Sequence, residues 1–212
     1  MPASPKLRPK HKAESLFATR LYRAELARAD LNAALEATCL AIAREDRAGQ
    51  RWCKEHSYRG YTSYASLDDL PQRASVFAEL IVQLDSHARA FAKVLEFDVA
   101  PKRLELDSIW INVLKPGGSH TAHIHPHSVL SGTYYVRVPE GASAIRYEDP
   151  RLAMMMAAPP KRRGARRENQ SFVSAEPKAG TILMWESWLR HEVPANTAKS
   201  ERISISFNYA VR

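Results

Sequence analysis

The 212-residue chain contains only two cysteines, Cys39 and Cys53, and they do not form a C-x-x-C pair. This scarcity argues against a disulfide framework and against a cysteine-based metal site, and it favours a reducing compartment. No apolar run approaches the roughly 20 residues that span a bilayer. No apolar segment follows the Pro/Lys-rich residues 1–12, so the sequence predicts no secretory signal. We therefore expect a cytoplasmic protein without a membrane segment.

Acidic residues are also in deficit, because 31 Lys and Arg face 23 Asp and Glu, giving a net charge of +8. The excess is concentrated in the N-terminal residues and in the run 161–167 (KRRGARR). A basic surface can attract nucleic acid or an anionic substrate. No helical stripe interleaves these bases with aromatic residues, however. We interpret them as a solvated tail and loop, and we do not expect nucleic acid as a partner.

The first half of the chain has helical periodicity. The clearest helix is predicted over 74–96, where apolar residues recur every three or four positions. An earlier helix is expected to begin with Asp30 as its cap. Residues 51–73 are polar and are expected to be irregular. We predict a disordered basic tail over 1–14 and a helical and extended support region over 15–104.

From residue 105 the apolar periodicity changes to two, which is typical of half-buried strands. The polar faces carry Asn, Ser, Thr and Arg, so they are predicted to line an internal pocket while the apolar faces pack on the helices. The fold class is therefore α+β, mostly β: a small jelly roll or cupin-like barrel over 105–212, interrupted by a loop at 151–171. That loop is either a lid or simply mobile. The last strand alternates Ile203, Ile205, Phe207 and Tyr209 with Arg202, Ser204, Ser206 and Asn208.

Three histidines fall within five residues, at His123, His125 and His127. In an extended chain, residues i and i+2 point to the same side, so His123 and His125 can share one metal ion. Pro126 interrupts this pattern, and we expect His127 and also His120 to face solvent or to neighbour the site.

A third ligand candidate is His191, which follows a predicted strand. Three ligands on one face of a metal leave three positions open for a bidentate co-substrate and dioxygen. Arg202 begins the polar face of the last strand and can clamp a carboxylate through two parallel hydrogen bonds, with Ser204 adding a third.

Taken together, the ordered motifs resemble the Fe(II)/2-oxoglutarate-dependent oxygenases, and within them a bacterial and phage branch. The resemblance is strong over residues 105–212 and holds only in outline before them. The motifs are W-x-N, G-G, H-x-H-P, L-S-G-x-Y-Y-V, P-K-x-G, W-L-x-H-x-V and R-I-S-I-S-F-N, carried by Trp110, Asn112, Gly117, Gly118, His123, His125, Pro126, Leu130 to Val136, Gly180, Trp188, Leu189, His191, Val193 and Arg202 to Asn208.

The resemblance implies a double-stranded β-helix that uses Fe(II), 2-oxoglutarate and O2. The reaction would be hydroxylation of a prime substrate, coupled to decarboxylation of 2-oxoglutarate to succinate and CO2. The resemblance assigns the roles as follows: His123, His125 and His191 as iron ligands, Arg202 and Ser204 at the distal carboxylate, and Tyr135 and Asn112 as further co-substrate contacts.

One position departs from the wider superfamily, whose second ligand is usually a carboxylate where this chain has His125. His125 is then either a ligand or a neighbour of the metal. The acids near the motifs, Glu148, Asp149 and Glu186, could replace it, although Glu148-Asp149-Pro150 is more typical of a tight turn. Loss of the carboxylate also leaves halogenation open beside hydroxylation and desaturation.

Two other functions remain open at this point. A cupin-type isomerase, dioxygenase or small-molecule binder would share the barrel and the H-x-H pair, but it has no need of Arg202. A basic nucleic-acid or protein-binding module would use the 161–167 run. The sequence names neither the prime substrate nor the oligomeric state, and a homodimer is compatible with it.

Overall fold

A computed structural model describes residues 12–100 and 103–212, so most of the predicted N-terminal tail lies outside the described residues. The helices in these ranges are α1 (Ala29–Glu45), α2 (Arg47–Glu55), α3 (Leu70–Arg73) and α4 (Ser75–Val94). The strands are β1 (Leu21–Glu25), β2 (Gly60–Thr62), β3 (Leu104–Leu114), β4 (His120–His123), β5 (Leu130–Arg137), β6 (Ile145–Glu148), β7 (Phe172–Ala175), β8 (Thr181–Glu186), β9 (His191–Val193) and β10 (Arg202–Val211).

The strands form two antiparallel sheets. The larger sheet has the order β1-β8-β5-β10-β3-β2, and the smaller has the order β4-β9-β6-β7. At the centre of the larger sheet, β10 pairs with both β3 and β5. The two sheets meet through a small apolar cluster in which Leu114 and Tyr135 of the larger sheet pack with Tyr147 and Val193 of the smaller one.

The outer face of the larger sheet packs on α1 and α4, as its apolar alternation predicted. Ile205 and Phe207 of β10 are fully buried in this core with Leu35 of α1 and Leu84 of α4. Buried polar atoms at this interface are paired, since the Tyr209 hydroxyl donates to the Asp85 carboxylate at 2.7 Å. The opposite, polar face of the same strands is directed to the space between the sheets.

Two expectations for the first half of the chain were wrong. Residues 51–73 are not irregular, because they contain the end of α2, all of β2 and α3. The capping residue of α2 is Asp46, whose side chain accepts a hydrogen bond from the Gly49 amide at 3.0 Å. Asp30 does not cap α1. It lies in the first turn and pairs with Arg28, which occupies the N-cap position but makes no side-chain capping bond to the helix.

The loop at 151–171 contains two short 3-10 turns, Leu152–Met154 and Arg167–Asn169. Met154 and Met156 are exposed, and the basic run 161–167 lies almost entirely at the surface. Among the described residues, no helix combines the length and hydropathy that crossing a membrane requires.

Candidate metal centre and co-substrate cavity

His123, His125 and His191 come together between the two sheets. His123 ends β4 and is the cross-strand partner of His191, which begins β9. His125 follows two residues later, and its amide donates a hydrogen bond to the Ser187 carbonyl at 3.0 Å. One ligand atom from each of the three side chains lies within 4.8 Å of the others. This spacing suits three nitrogen ligands around one metal ion.

Backbone hydrogen bonds orient two of the three imidazoles. Nδ1 of His123 donates to the Thr121 carbonyl at 2.6 Å, and Nδ1 of His191 donates to the Leu189 carbonyl at 2.9 Å. A carbonyl only accepts, so Nδ1 carries the proton in both rings and Nε2 keeps its lone pair. Such a bond fixes the tautomer that a metal-binding histidine needs.

Burial keeps two of the three imidazoles, those of His125 and His191, neutral. It lowers the pKa of His191 to about 3, with a smaller contribution from the charge of His123. The pKa of His125 is lowered to about 4 by burial and then by His123. Both rings are therefore neutral at physiological pH, which is the state that binds a metal.

The acids considered as alternative ligands do not join this group within the described ranges. Glu148 pairs with Arg190 at 3.2 Å. Asp149 makes the predicted tight turn, because its carboxylate accepts from the Arg151 amide at 2.9 Å. Glu186 ends β8 and is likewise outside the group. The donor set is therefore three imidazoles.

Arg202 is a buried cation with incomplete bonding. Its side chain is 2% exposed. Nη1 donates to the Ser143 carbonyl at 3.0 Å, the guanidinium lies 5.6 Å from the centre of the Tyr135 ring, and Nε has no partner. No carboxylate in the described residues pairs with it. Because a buried charge without a counter-ion is unfavourable, this arrangement fits a ligand that supplies an anion.

One cavity of about 700 Å³ contains all seven predicted site residues in its wall. Ser204 and Tyr135 are buried beside Arg202 in the strand register. Asn112 is placed there too, but its carbonyl oxygen accepts from Thr62 at 3.0 Å and its amide donates to Ser206 at 3.0 Å. Its side chain therefore supports the wall. No residue of the 151–171 loop lines the cavity.

Sequence reasoning missed several lining residues. Tyr58 is one of them, and its hydroxyl is hydrogen-bonded at 2.7 Å to Nε2 of His120, whose place beside the site was expected, as was the exposure of His127. Trp52 and His56 stack with ring centres 4.1 Å apart. Three of these residues, at 52, 56 and 58, belong to the segment expected to be irregular. Tyr58 contacts His120, 62 residues away, so local periodicity carried no signal for it, whereas Trp52 and His56 stack on each other at the C-terminal end of α2.

Residues 108–208 match the family model described as "Putative 2OG-Fe(II) oxygenase". By this match, residues 108–208 belong to the 2OG-Fe(II) oxygenases. The matched range contains all three histidines, Arg202 and the other predicted site residues. The predicted enzyme class is thereby confirmed. No curated protein sequence matches the chain.

Solved structures agree on the fold. A prolyl-4-hydroxylase from Pseudomonas putida is 19% identical, with a TM-score of 0.61 over 92% of this chain and 94% of that one. The 2-oxoglutarate-dependent epimerase SnoN of nogalamycin biosynthesis is 14% identical, with a TM-score of 0.62 over 91% and 77%. HygX from Streptomyces hygroscopicus, solved with nickel and 2-oxoglutarate, is 13% identical, with a TM-score of 0.58 over 91% and 82%. These likenesses confirm the double-stranded β-helix.

Proposed function

We propose that the chain is an Fe(II)- and 2-oxoglutarate-dependent hydroxylase whose iron is held by His123, His125 and His191. The observation that carries this proposal is one cavity with two complementary features. Three imidazoles with ligand atoms within 4.8 Å lie in the same cavity as a buried guanidinium that lacks a counter-ion among the described residues. A metal and a dicarboxylate satisfy both features together.

When bound, Fe(II) supplies the redox chemistry that couples decarboxylation of 2-oxoglutarate by O2 to oxidation of the prime substrate. The chain supplies position and charge. Arg202 would bind the distal carboxylate of 2-oxoglutarate by charge-assisted hydrogen bonds in a poorly hydrated space. Ser204 lies two residues further along the same face of β10 and would add a hydroxyl donor.

Tyr135 would act as a neutral donor to the co-substrate. Burial raises the pKa of this tyrosine, so its hydroxyl keeps its proton at physiological pH. Asn112 would act indirectly, since its bonds to Thr62 and Ser206 hold β2, β3 and β10 together at the cavity wall. We also propose that residues 105–212 are the catalytic core and that residues 15–104 support it.

Hydroxylation is favoured over halogenation because His125, as an iron ligand, would fill the position that a chloride ion needs. The resemblance to a prolyl-4-hydroxylase over 94% of that chain supports the same outcome. The cupin-type alternative is disfavoured by Arg202, because a binder without 2-oxoglutarate gives no reason to bury an unpaired guanidinium.

The test is anaerobic addition of 2-oxoglutarate to the Fe(II)-loaded protein. We expect a weak visible charge-transfer band at stoichiometric iron. Arg202→Ala should abolish the band at the same 2-oxoglutarate concentration, and His125→Ala should weaken iron binding itself.

Arg137→Ala is the matched control, because Arg137 also lies at a strand of the larger sheet but is paired with Glu36 and Glu201 outside the cavity. It should leave the band unchanged. Absence of the band in the wild-type protein despite bound iron would reject the oxygenase proposal in favour of a cupin-type metalloprotein.

A further inference from the structure

The cavity extends beyond the histidines to an aromatic end. The ring centre of Trp110 lies 6.0 Å from that of His125, and Tyr64 packs edge-on against Trp110 at 5.2 Å. Ile124, between two of the histidines, also lines the cavity. Tyr64 is 64% exposed and Ile124 is 44% exposed, so this rim presents apolar surface next to the proposed metal site. A flat ring would be well accommodated there.

The other end of the same cavity is formed by Arg59 on the Gly117–Gly118 turn. A Cβ at Gly117, where φ is +78°, would lie 3.2 Å from Cζ of Arg59. A Cβ at Gly118 would lie only 2.4 Å from the Arg59 carbonyl oxygen. That carbonyl accepts a hydrogen bond from the Lys115 amide at 3.2 Å. Both glycines are thus needed to seat Arg59 at the cavity wall, which gives the G-G motif a role.

The arginines that line the cavity have no acidic residue beside them in the described lining. Among the residues the structure describes, the cavity lining includes Arg59 and Arg202 but neither Asp nor Glu. In the proposed function, Arg202 binds the distal carboxylate of 2-oxoglutarate. Arg59 forms no ion pair within the described ranges, and its guanidinium rests on glycine backbone. A substrate with an anionic group would complete this site, whereas a cationic substrate would find no counter-charge.

Strand register gives the distance between the two ends. Arg59 is held beside Lys115, the residue that follows β3, and Tyr64 packs on Trp110, five residues earlier in the chain. At about 3.3 Å per residue, the backbone positions are about 16 Å apart.

We infer that the prime substrate is an elongated molecule with a flat, unsaturated ring at the Tyr64–Trp110 end and an anionic group, a carboxylate or a phosphate, at Arg59. The inference rests on the proposed function for its orientation, because the ring end is the end next to the three histidines. Binding of such a molecule by this cavity does not itself need iron.

The experiment uses the metal-free full-length protein carrying Arg202→Met, so that Arg59 is the arginine left in the cavity lining, and a ladder of ω-phenylalkanoates, from phenylacetate to phenyldodecanoate. Each acid is compared with its neutral primary amide by ligand-observed NMR titration. The preference for acid over amide should grow with chain length and reach about fivefold, the upper end for an ion pair at an exposed arginine. The corresponding phenylalkyl phosphates form a second arm, and the stronger arm identifies the anion.

Arg59→Gln should reduce the preference to less than about twofold, while Arg51→Gln should leave it unchanged. Arg51 is the matched control because it is exposed on α2 and is not part of the cavity lining. Tyr64→Leu should reduce the advantage of phenyl over cyclohexyl analogues without affecting the preference for acid.

Equal affinity of acids and amides at every length would overturn the inference, as would a preference that persists in Arg59→Gln. A preference that is greatest for phenylacetate would overturn the assigned spacing. A missing charge-transfer band would remove the oxygenase proposal and leave these binding results intact, so the two failures can be told apart.

Discussion

The two faces of β10 differ in what surrounds them. Ile203 and Phe207 are fully buried in the apolar core against the helices, whereas Arg202 and Ser204 line the cavity between the sheets. Both faces are almost inaccessible to solvent, but only the apolar face is fully packed by the chain itself. The comparison teaches that burial on one face stabilises the fold, while burial on the other prepares polar groups for a ligand. Substitutions on the two faces should therefore separate stability from binding.

The largest effect is expected on the apolar face. Phe207→Ala removes a fully buried ring that packs against Gly132, so we expect the free energy of unfolding to fall by about 3–5 kcal/mol. Ser206→Ala, one residue away on the cavity face, should lose about 1 kcal/mol because its hydroxyl accepts from Asn112. Urea unfolding of both variants measures the difference. Equal losses of unfolding free energy in the two variants would contradict the view that the apolar face of β10 stabilises the fold more than the cavity face.

On the cavity face, Arg202→Met should change binding more than stability. Replacing an unpaired buried guanidinium by an apolar side chain should alter the free energy of unfolding by less than about 1 kcal/mol. The dissociation constant of 2-oxoglutarate for the Fe(II)-loaded protein should rise about thirtyfold, near 2 kcal/mol. Thermal unfolding without metal and anaerobic calorimetry give the two values. If Arg202→Met is strongly destabilised, Arg202 stabilises the fold and is not held ready for a ligand.

Asp46 holds helix α2, which carries the cavity-lining residue Trp52, against the segment that follows β2. Its carboxylate caps α2 at Gly49 and accepts from the hydroxyls of Tyr61 at 2.8 Å and Ser66 at 2.5 Å. Asp46→Ala should lower the free energy of unfolding by about 1.5 kcal/mol.

The same carboxylate gives a pH dependence of known sign. Burial acts to raise the pKa of Asp46, but these hydrogen bonds outweigh it and the pKa is lowered. The folded pKa is below the unfolded value near 3.9, so this stabilisation is complete above that value and is lost as the pH falls through the folded pKa. Urea unfolding at pH 5 and at lower pH should show a smaller decline for Asp46→Asn than for the wild type. An unchanged decline would exclude Asp46 as its source.

Prediction from the sequence succeeded where the signal is local. The alternation of β10 and the H-x-H spacing of His123 and His125 each follow from the period-two geometry of one extended segment. It failed where the determinants are distant. Helix α2 depends on its capping residue more than on apolar periodicity, and Arg59 acquires its place only through Gly117, far along the chain. Such contacts appear only once the strands are paired.

The smallest effect is expected at Ser204, which is 2% exposed and faces the cavity two residues beyond Arg202. Its hydroxyl should donate one hydrogen bond to the distal carboxylate, so Ser204→Ala should weaken 2-oxoglutarate binding about fivefold. Ser206→Ala is the control, since that hydroxyl lies a further two residues away and accepts from Asn112. Calorimetry measures the dissociation constant of 2-oxoglutarate for both variants, and so compares two neighbouring hydroxyls on one face of β10. Equal weakening would mean that the face acts through its packing, and an effect confined to Ser204 would place the carboxylate at the Arg202 end of β10.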